Sequence, residues 1–220
     1  MNRIDASMDD MANNKFLTLY NSVIKSYAAS TDFSTNEVVC LLIVYYKFSL
    51  SNRPASRLMT TNQLYGLFLV LFQIFDVGII DRILLNLTQD ARTVSPDAWM
   101  QLFSVFLSSS LEERMRFAYN VYTSAGTQIL NRETVAIAVE KFFVGDDDDE
   151  VQELRADMCE FLFNKFDTDK DGIISFEEYS EVVTIQPALM EFLGQIFPGE
   201  NDNTLIAYCN NIESLFPQED

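Results

Sequence analysis

The 220-residue sequence predicts an all-α fold of two lobes, each built from paired helical units, and three observations carry that expectation. Apolar residues recur at three- to four-residue intervals, helix-start signals punctuate the chain, and no segment sustains the two-residue alternation of a half-buried strand. With 48% hydrophobic and 22% charged residues, the chain has the apolar content to bury a core. Roughly ten helices are expected.

The elements follow in chain order. Phe16, Leu17, Tyr20, Val23, Ile24 and Tyr27 outline a first amphipathic helix. Ser34 with Glu37, Thr60 with Gln63 and Ser110 with Glu113 have capping-box spacing, in which a hydroxyl and a longer polar side chain each satisfy an otherwise orphaned backbone amide. The most apolar stretch, Leu64 to Phe72, is too short to span a bilayer and runs into Gln73 and Asp76, so it predicts a core helix. Ser95 precedes Pro96, which suits a first helical turn, and Pro187 could open another helix. Late in the chain, Leu154, Met158, Phe161, Leu162 and Phe166 form one stripe, and Phe176, Tyr179, Val182 and Val183 form the next. The acidic run GDDDDE, 145–150, reads as a solvated linker ahead of them.

Between those stripes lies DTDKDGIISFEE, residues 167–178, with five carboxylates and a glycine. In the twelve-residue EF-hand loop, oxygens come from positions 1, 3, 5, 7, 9 and 12, with glycine at 6 for the sharp turn. Those positions hold Asp167, Asp169, Asp171, Ile173 (through its backbone carbonyl), Ser175 and Glu178, with Gly172 at the turn. The predicted ligand is one Ca²⁺, favoured by the two-oxygen carboxylate at position 12, with Mg²⁺ as the alternative ion. Glu178 also stands three residues after Ser175, so it can cap the exiting helix as well as hold the ion.

Other frames keep the helices and lose the ligands. Aligned on Leu130, the segment from Phe117 to Val135 offers Thr123, Ala125, Thr127, Ile129, Asn131 and Thr134, with Gln128 in place of the glycine. The frame from Arg82 to Met100 has Asp90 and Asp97 but is about one residue short and carries Pro96. Both are predicted empty, and a fourth, more eroded frame links the helix near Glu37 to the one near Thr60. The expected organisation is an N-terminal lobe of degenerate EF-hands over 1–109, a C-terminal EF-hand pair with one intact loop over 110–184, and a helical extension over 185–220. Because such hands pair through a short sheet, Ile173 and Ile174 are expected to face Ile129 and Leu130.

Composition narrows the function. A formal net charge of -18, from 33 acidic and 15 basic residues, argues against nucleic acid or anionic membrane as a partner and favours basic protein segments. Histidine is absent, which removes His-based catalysis, and none of the 7 glycines builds a phosphate loop, so an enzyme is not expected. Cys40, Cys159 and Cys209 show no metal or disulfide spacing, the N-terminus lacks a signal-peptide core, and Asn2 stands where myristoylation needs glycine. A reducing cytoplasmic setting fits these features.

The segments FSTNEVVCLLIVYYKF, FLSSSLEERMRFAYNVY, DTDKDGIISFEEYSEVV and PALMEFLGQIFPGE, in this order, resemble the calaxin family. That resemblance implies a non-enzymatic calcium sensor of motile cilia and flagella. It implies an axonemal location, partners among the outer dynein arm docking complex and the dynein heavy chain, and modulation of the motor by calcium. The chain departs from the family where two loops that usually keep ligands are degraded, so only Asp167, Asp169, Asp171, Ile173, Ser175 and Glu178 carry over. Two other readings stay open: a constitutive structural subunit of the axoneme, and a calcium-sensing regulatory subunit of a soluble enzyme.

Overall fold

The computed structural model describes residues 4–52, 56–88, 92–123 and 129–199. Among them the chain forms nine α-helices: α1 (Asp10–Ser30), α2 (Thr35–Ser51), α3 (Thr61–Val70), α4 (Val77–Leu87), α5 (Pro96–Phe106), α6 (Leu111–Thr123), α7 (Arg132–Val139), α8 (Asp148–Phe166) and α9 (Phe176–Ile185). Two single-turn 3-10 helices, Glu140–Phe142 and Pro187–Leu189, complete the helical content. Four two-residue strands sit between helices: β1 (Met59–Thr60), β2 (Thr93–Val94), β3 (Leu130–Asn131) and β4 (Ile173–Ile174). The architecture is all-α, and the sheets serve only to tie loops in antiparallel pairs, β1 with β2 and β3 with β4.

The helix starts follow local chemistry. Full capping boxes form at Ser34–Glu37 and Thr60–Gln63, and Ser95 caps α5 with Pro96 as its first residue. At α6 only half of the predicted box forms. Ser110 accepts from the Glu113 amide, while the Glu113 carboxylate takes the Ser108 hydroxyl at 2.6 Å. The acidic run is more than a linker: Asp147 caps α8 by accepting from the amides of Asp149 and Glu150, and Asp148, Asp149 and Glu150 occupy the first turn, where the helix dipole favours anions.

By packing, the chain divides into two compact units. The first comprises Met1–Phe75, Leu87–Leu107 and Phe197–Asp220. Its core is aromatic: Trp99, fully buried, donates to the Leu41 carbonyl at 2.9 Å, and Tyr45 donates to Val94 in β2 at 2.7 Å. Phe68, Phe72, Phe103 and Phe106 pack edge to face, and Phe197 joins them through Phe106. On α1 only Phe16, Tyr20 and Ile24 of the predicted stripe are buried, since a helix laid against one neighbour needs only a narrow apolar seam.

The second unit comprises Asp76–Asn86 and Ser108–Ile196, so all of α4 except Leu87 belongs to the same unit as α6 to α9. The predicted stripe on α8 is partly misplaced: Leu154 and Phe161 are 42% and 58% exposed, whereas Phe163 is buried beneath the guanidinium of Arg132. The buried face is centred on Leu162, Phe163 and Phe166, all in the last turn and a half. Pro187 opens one 3-10 turn and not a longer helix.

Candidate metal centre

The intact loop is strung between two caps. Asp167 is the C-cap of α8, its amide still bonded to the Phe163 carbonyl, and Ser175 is the N-cap of α9. The first and ninth loop positions are thereby fixed by the helices. Phe166 and Tyr179, the aromatic residues flanking the loop, lie nearly parallel with ring centroids 6.1 Å apart, so the helices are held together from inside the core.

Within the loop the carboxylates organise the backbone. The Asp171 amide donates to Asp167 and Asp169, each at 3.1 Å, the Gly172 amide donates to Asp167 at 3.0 Å, and the Ile173 amide donates to Asp171 at 2.7 Å. Turning the chain this tightly requires left-handed backbone at Lys170 (φ 59°) and Gly172 (φ 84°), and a glycine takes the second at no steric cost. One carboxylate oxygen from each of Asp167, Asp169 and Asp171 lies within 4.8 Å of the other two. Asp167 is buried and the other two are exposed, which leaves the cluster an open side.

Glu178 stands outside that cluster and closes the loop from the α9 side. Its Oε1 accepts from the Thr168 amide at 2.7 Å and the Thr168 hydroxyl at 2.9 Å, while Oε2 accepts from the amide and hydroxyl of Ser175, both at 2.9 Å. Burial pushes its pKa up, but the bonds from Ser175 and Thr168 outweigh this and hold it down to about 2. It is an anion at any physiological pH.

The donor set suits a hard cation: three aspartate carboxylates, a glutamate carboxylate, a serine hydroxyl and a backbone carbonyl, all oxygen, as Ca²⁺ requires. Asp167, Asp169, Asp171, Ile173, Ser175 and Glu178 would hold the ion. Bound there, it would neutralise crowded carboxylates and tie α8 to α9.

The neighbouring hand has the same frame without that chemistry. β3 pairs with β4 in the register Leu130 to Ile174 and Asn131 to Ile173, so Leu130 holds the place given to it by alignment, but Ile173 faces Asn131 and not Ile129. Antiparallel direction requires this: with Leu130 opposite Ile174, the residue before Ile174 meets the residue after Leu130. Asn131 is also the N-cap of α7, accepting from the amide and hydroxyl of Thr134 at 2.9 Å each, as Ser175 caps α9. Ala125, Thr127 and Gln128 of this loop, and Asp90 of the earlier frame, lie outside the described residues. Asp97 of that earlier frame accepts from the hydroxyl of Tyr27.

Sequence reasoning passed over Thr168, which sits at a loop position with no ligand rule, and also the tyrosines that join this centre to the rest of the unit. Tyr119 of α6 donates to the Ile174 carbonyl at 2.8 Å. Tyr179, next to Glu178, donates to the Met190 carbonyl at 2.8 Å, and Tyr122 donates to the Gly194 carbonyl at 2.8 Å. Phe192 packs among Phe166, Tyr122 and Tyr179, with ring centroids 4.5, 5.5 and 5.9 Å away. Leu193 and Ile196 beside it are buried. The apolar face that the paired hands present is filled by the chain's own segment 187–196. The tyrosine spacing on α6 was the available signal, since a buried tyrosine hydroxyl calls for a polar partner.

Comparison with known proteins agrees with this geometry. Residues 112–184 match the family described as an EF-hand domain pair. Calaxin of Bos taurus is 26% identical over 171 residues, covering 76% of this chain and 81% of that protein, and calaxin of Homo sapiens is 26% identical over 170 residues with the same coverage. Calaxin of Danio rerio is 27% identical over 106 residues, 48% of this chain and 50% of that protein. The chain is thus an all-α protein with an EF-hand domain pair in its second half, similar over about three quarters of its length to calaxins.

Proposed function

We propose that the protein is a calaxin-like, non-enzymatic calcium sensor of the axoneme in motile cilia or flagella. It binds one Ca²⁺ at Asp167, Asp169, Asp171, Ile173, Ser175 and Glu178. Its partners are protein subunits of the outer dynein arm docking complex and the dynein heavy chain, whose activity it modulates. The observation that supports the reading is the cluster of Asp167, Asp169 and Asp171 carboxylates in a loop strung between the caps of α8 and α9, with Ile173, Ser175 and Glu178 at the remaining ligand positions, in a chain similar to calaxins. Glu178 and Tyr179 are adjacent on α9, so a pull on the carboxylate is transmitted to the residue that holds Met190 and Phe192. A single site in a monomer has no partner site to cooperate with, so occupancy spreads over roughly two decades of calcium concentration.

Calcium titration by calorimetry, on the wild type and on Glu178→Gln, tests the centre: one ion per chain is expected, with binding lost in the variant. Equal binding by both proteins refutes the ligand assignment. Co-sedimentation with axonemes in calcium and in chelator tests the setting, and a protein that stays in the cytosolic fraction counts against the axonemal reading.

A second reading is favoured by one observation. The loop is already closed by Thr168 and the apolar face already filled by segment 187–196, which suits a constitutive structural subunit whose ion stabilises without switching. Partner affinity that falls in chelator argues against it.

A further inference from the structure

The first unit carries a groove of about 920 Å³ lined by the outer face of α1 together with Tyr46, Arg57 and Pro96. Two of its apolar walls are open to solvent, Met11 at 65% and Leu19 at 50% exposure. No carboxylate is among its described lining residues, although the chain has a net charge of -18. The cations at its edge, Lys15 and Arg57, have no ion-pair partner among the described residues. A concave surface with apolar walls and two cations at its edge suits an occupant that is amphipathic and acidic.

The chain itself supplies one. Residues 200–220 carry five carboxylates and no lysine or arginine. Leu205, Tyr208, Cys209, Ile212, Leu215 and Phe216 recur at helical spacing, with Thr204 placed to cap and Pro217 placed to stop. Reach is sufficient. Phe197 packs on Phe106 at the C-terminal end of α5, while Pro96 at the other end of the same helix lines the groove. Eleven residues of helix measure roughly 16 Å at 1.5 Å each. The seven residues 198–204, at up to about 3.3 Å each, span roughly 23 Å.

We propose that residues 205–216 dock as an amphipathic helix in the α1 groove of their own chain, with Lys15 and Arg57 receiving the tail's carboxylates. The groove is then an intramolecular site, separate from the metal centre and independent of calcium.

The test uses the full chain. A spin label on Asn210→Cys, on the polar side of the segment, with Cys159→Ser and Cys209→Ala to leave buried Cys40 as the other thiol, is expected to broaden the amide resonances of residues 11–23 at every protein concentration. Amides of 205–216 are expected to exchange at least about tenfold slower than an unstructured chain. Lys15→Glu with Arg57→Glu, both at exposed positions that leave the core untouched, is expected to abolish the broadening and the protection together. Absence of both signals in the parent chain, or their persistence in the double variant, overturns the proposal. Broadening that disappears on dilution also overturns it, assigning the groove to the tail of a second copy.

Discussion

The two hands of the C-terminal pair share a frame and differ in what their loop ends do. In the hand of α8 and α9, Asp167 and Ser175 are both helix caps and predicted ligands, and Glu178 both completes the cap and closes the loop. In the hand of α6 and α7, Asn131 and Thr134 hold the equivalent positions and do only the capping. Strand pairing, the aromatic core and the helix ends survive in both. Folding the pair and gathering a cation are therefore separable demands: apolar contacts and caps meet the first, and only carboxylates arranged around a glycine turn meet the second.

The largest expected effect comes from the core that both hands share. Phe166→Ala removes a fully buried ring that touches Tyr179 and Phe192, and should cost about 3–5 kcal/mol in chemical denaturation of the second unit. A loss below about 1 kcal/mol would mean that the two hands do not depend on a common interior. Next is Gly172→Ala, which places a Cβ at φ 84° and should cost about 1–2 kcal/mol while weakening calcium binding. The matched change in the other hand is smaller. Asn131→Ala removes one cap, should cost about 1 kcal/mol, and should leave the calcium titration curve where it was. Weakened calcium binding in Asn131→Ala would show that the degenerate hand does more than support its neighbour.

The smallest effect is a pH dependence away from both loops. Burial raises the pKa of Asp76, but its bond from Lys141 outweighs that and the net direction is below the ordinary 3.8. A carboxylate lowered on folding contributes stability above its unfolded value and loses it as pH falls through the folded one. Thermal melts below pH 4 should show this loss in the wild type and less of it in Asp76→Asn. Identical profiles would leave the pair without a measurable role.

Much of this was legible in the sequence, for a physical reason. Caps and loop ligands are local: Ser34 with Glu37, Thr60 with Gln63 and the run from Asp167 to Glu178 each specify their geometry within a dozen residues. The frame of the degenerate hand was readable from Leu130 alone. What escaped depends on partners far along the chain. Leu154 and Phe161 fit a helical stripe yet are largely exposed, whereas Phe163 is buried with Arg132 lying over it. Thr168 acquires its role only once Glu178 folds back ten residues to meet it. Segment 187–196 reads as one more helix until Tyr122 and Tyr179 are seen to grip its carbonyls.

That grip sets the terms for anything arriving from outside. A tethered segment a few residues beyond α9 competes at a local concentration on the order of millimolar, a level that a dilute cellular protein does not approach. A visiting helix aimed at the Phe166–Tyr179 face meets a resident it must evict, and its association slows accordingly. Rapid exchange of binding proteins is therefore steered toward other surfaces of the molecule, while this face is kept for whatever can first loosen Phe192.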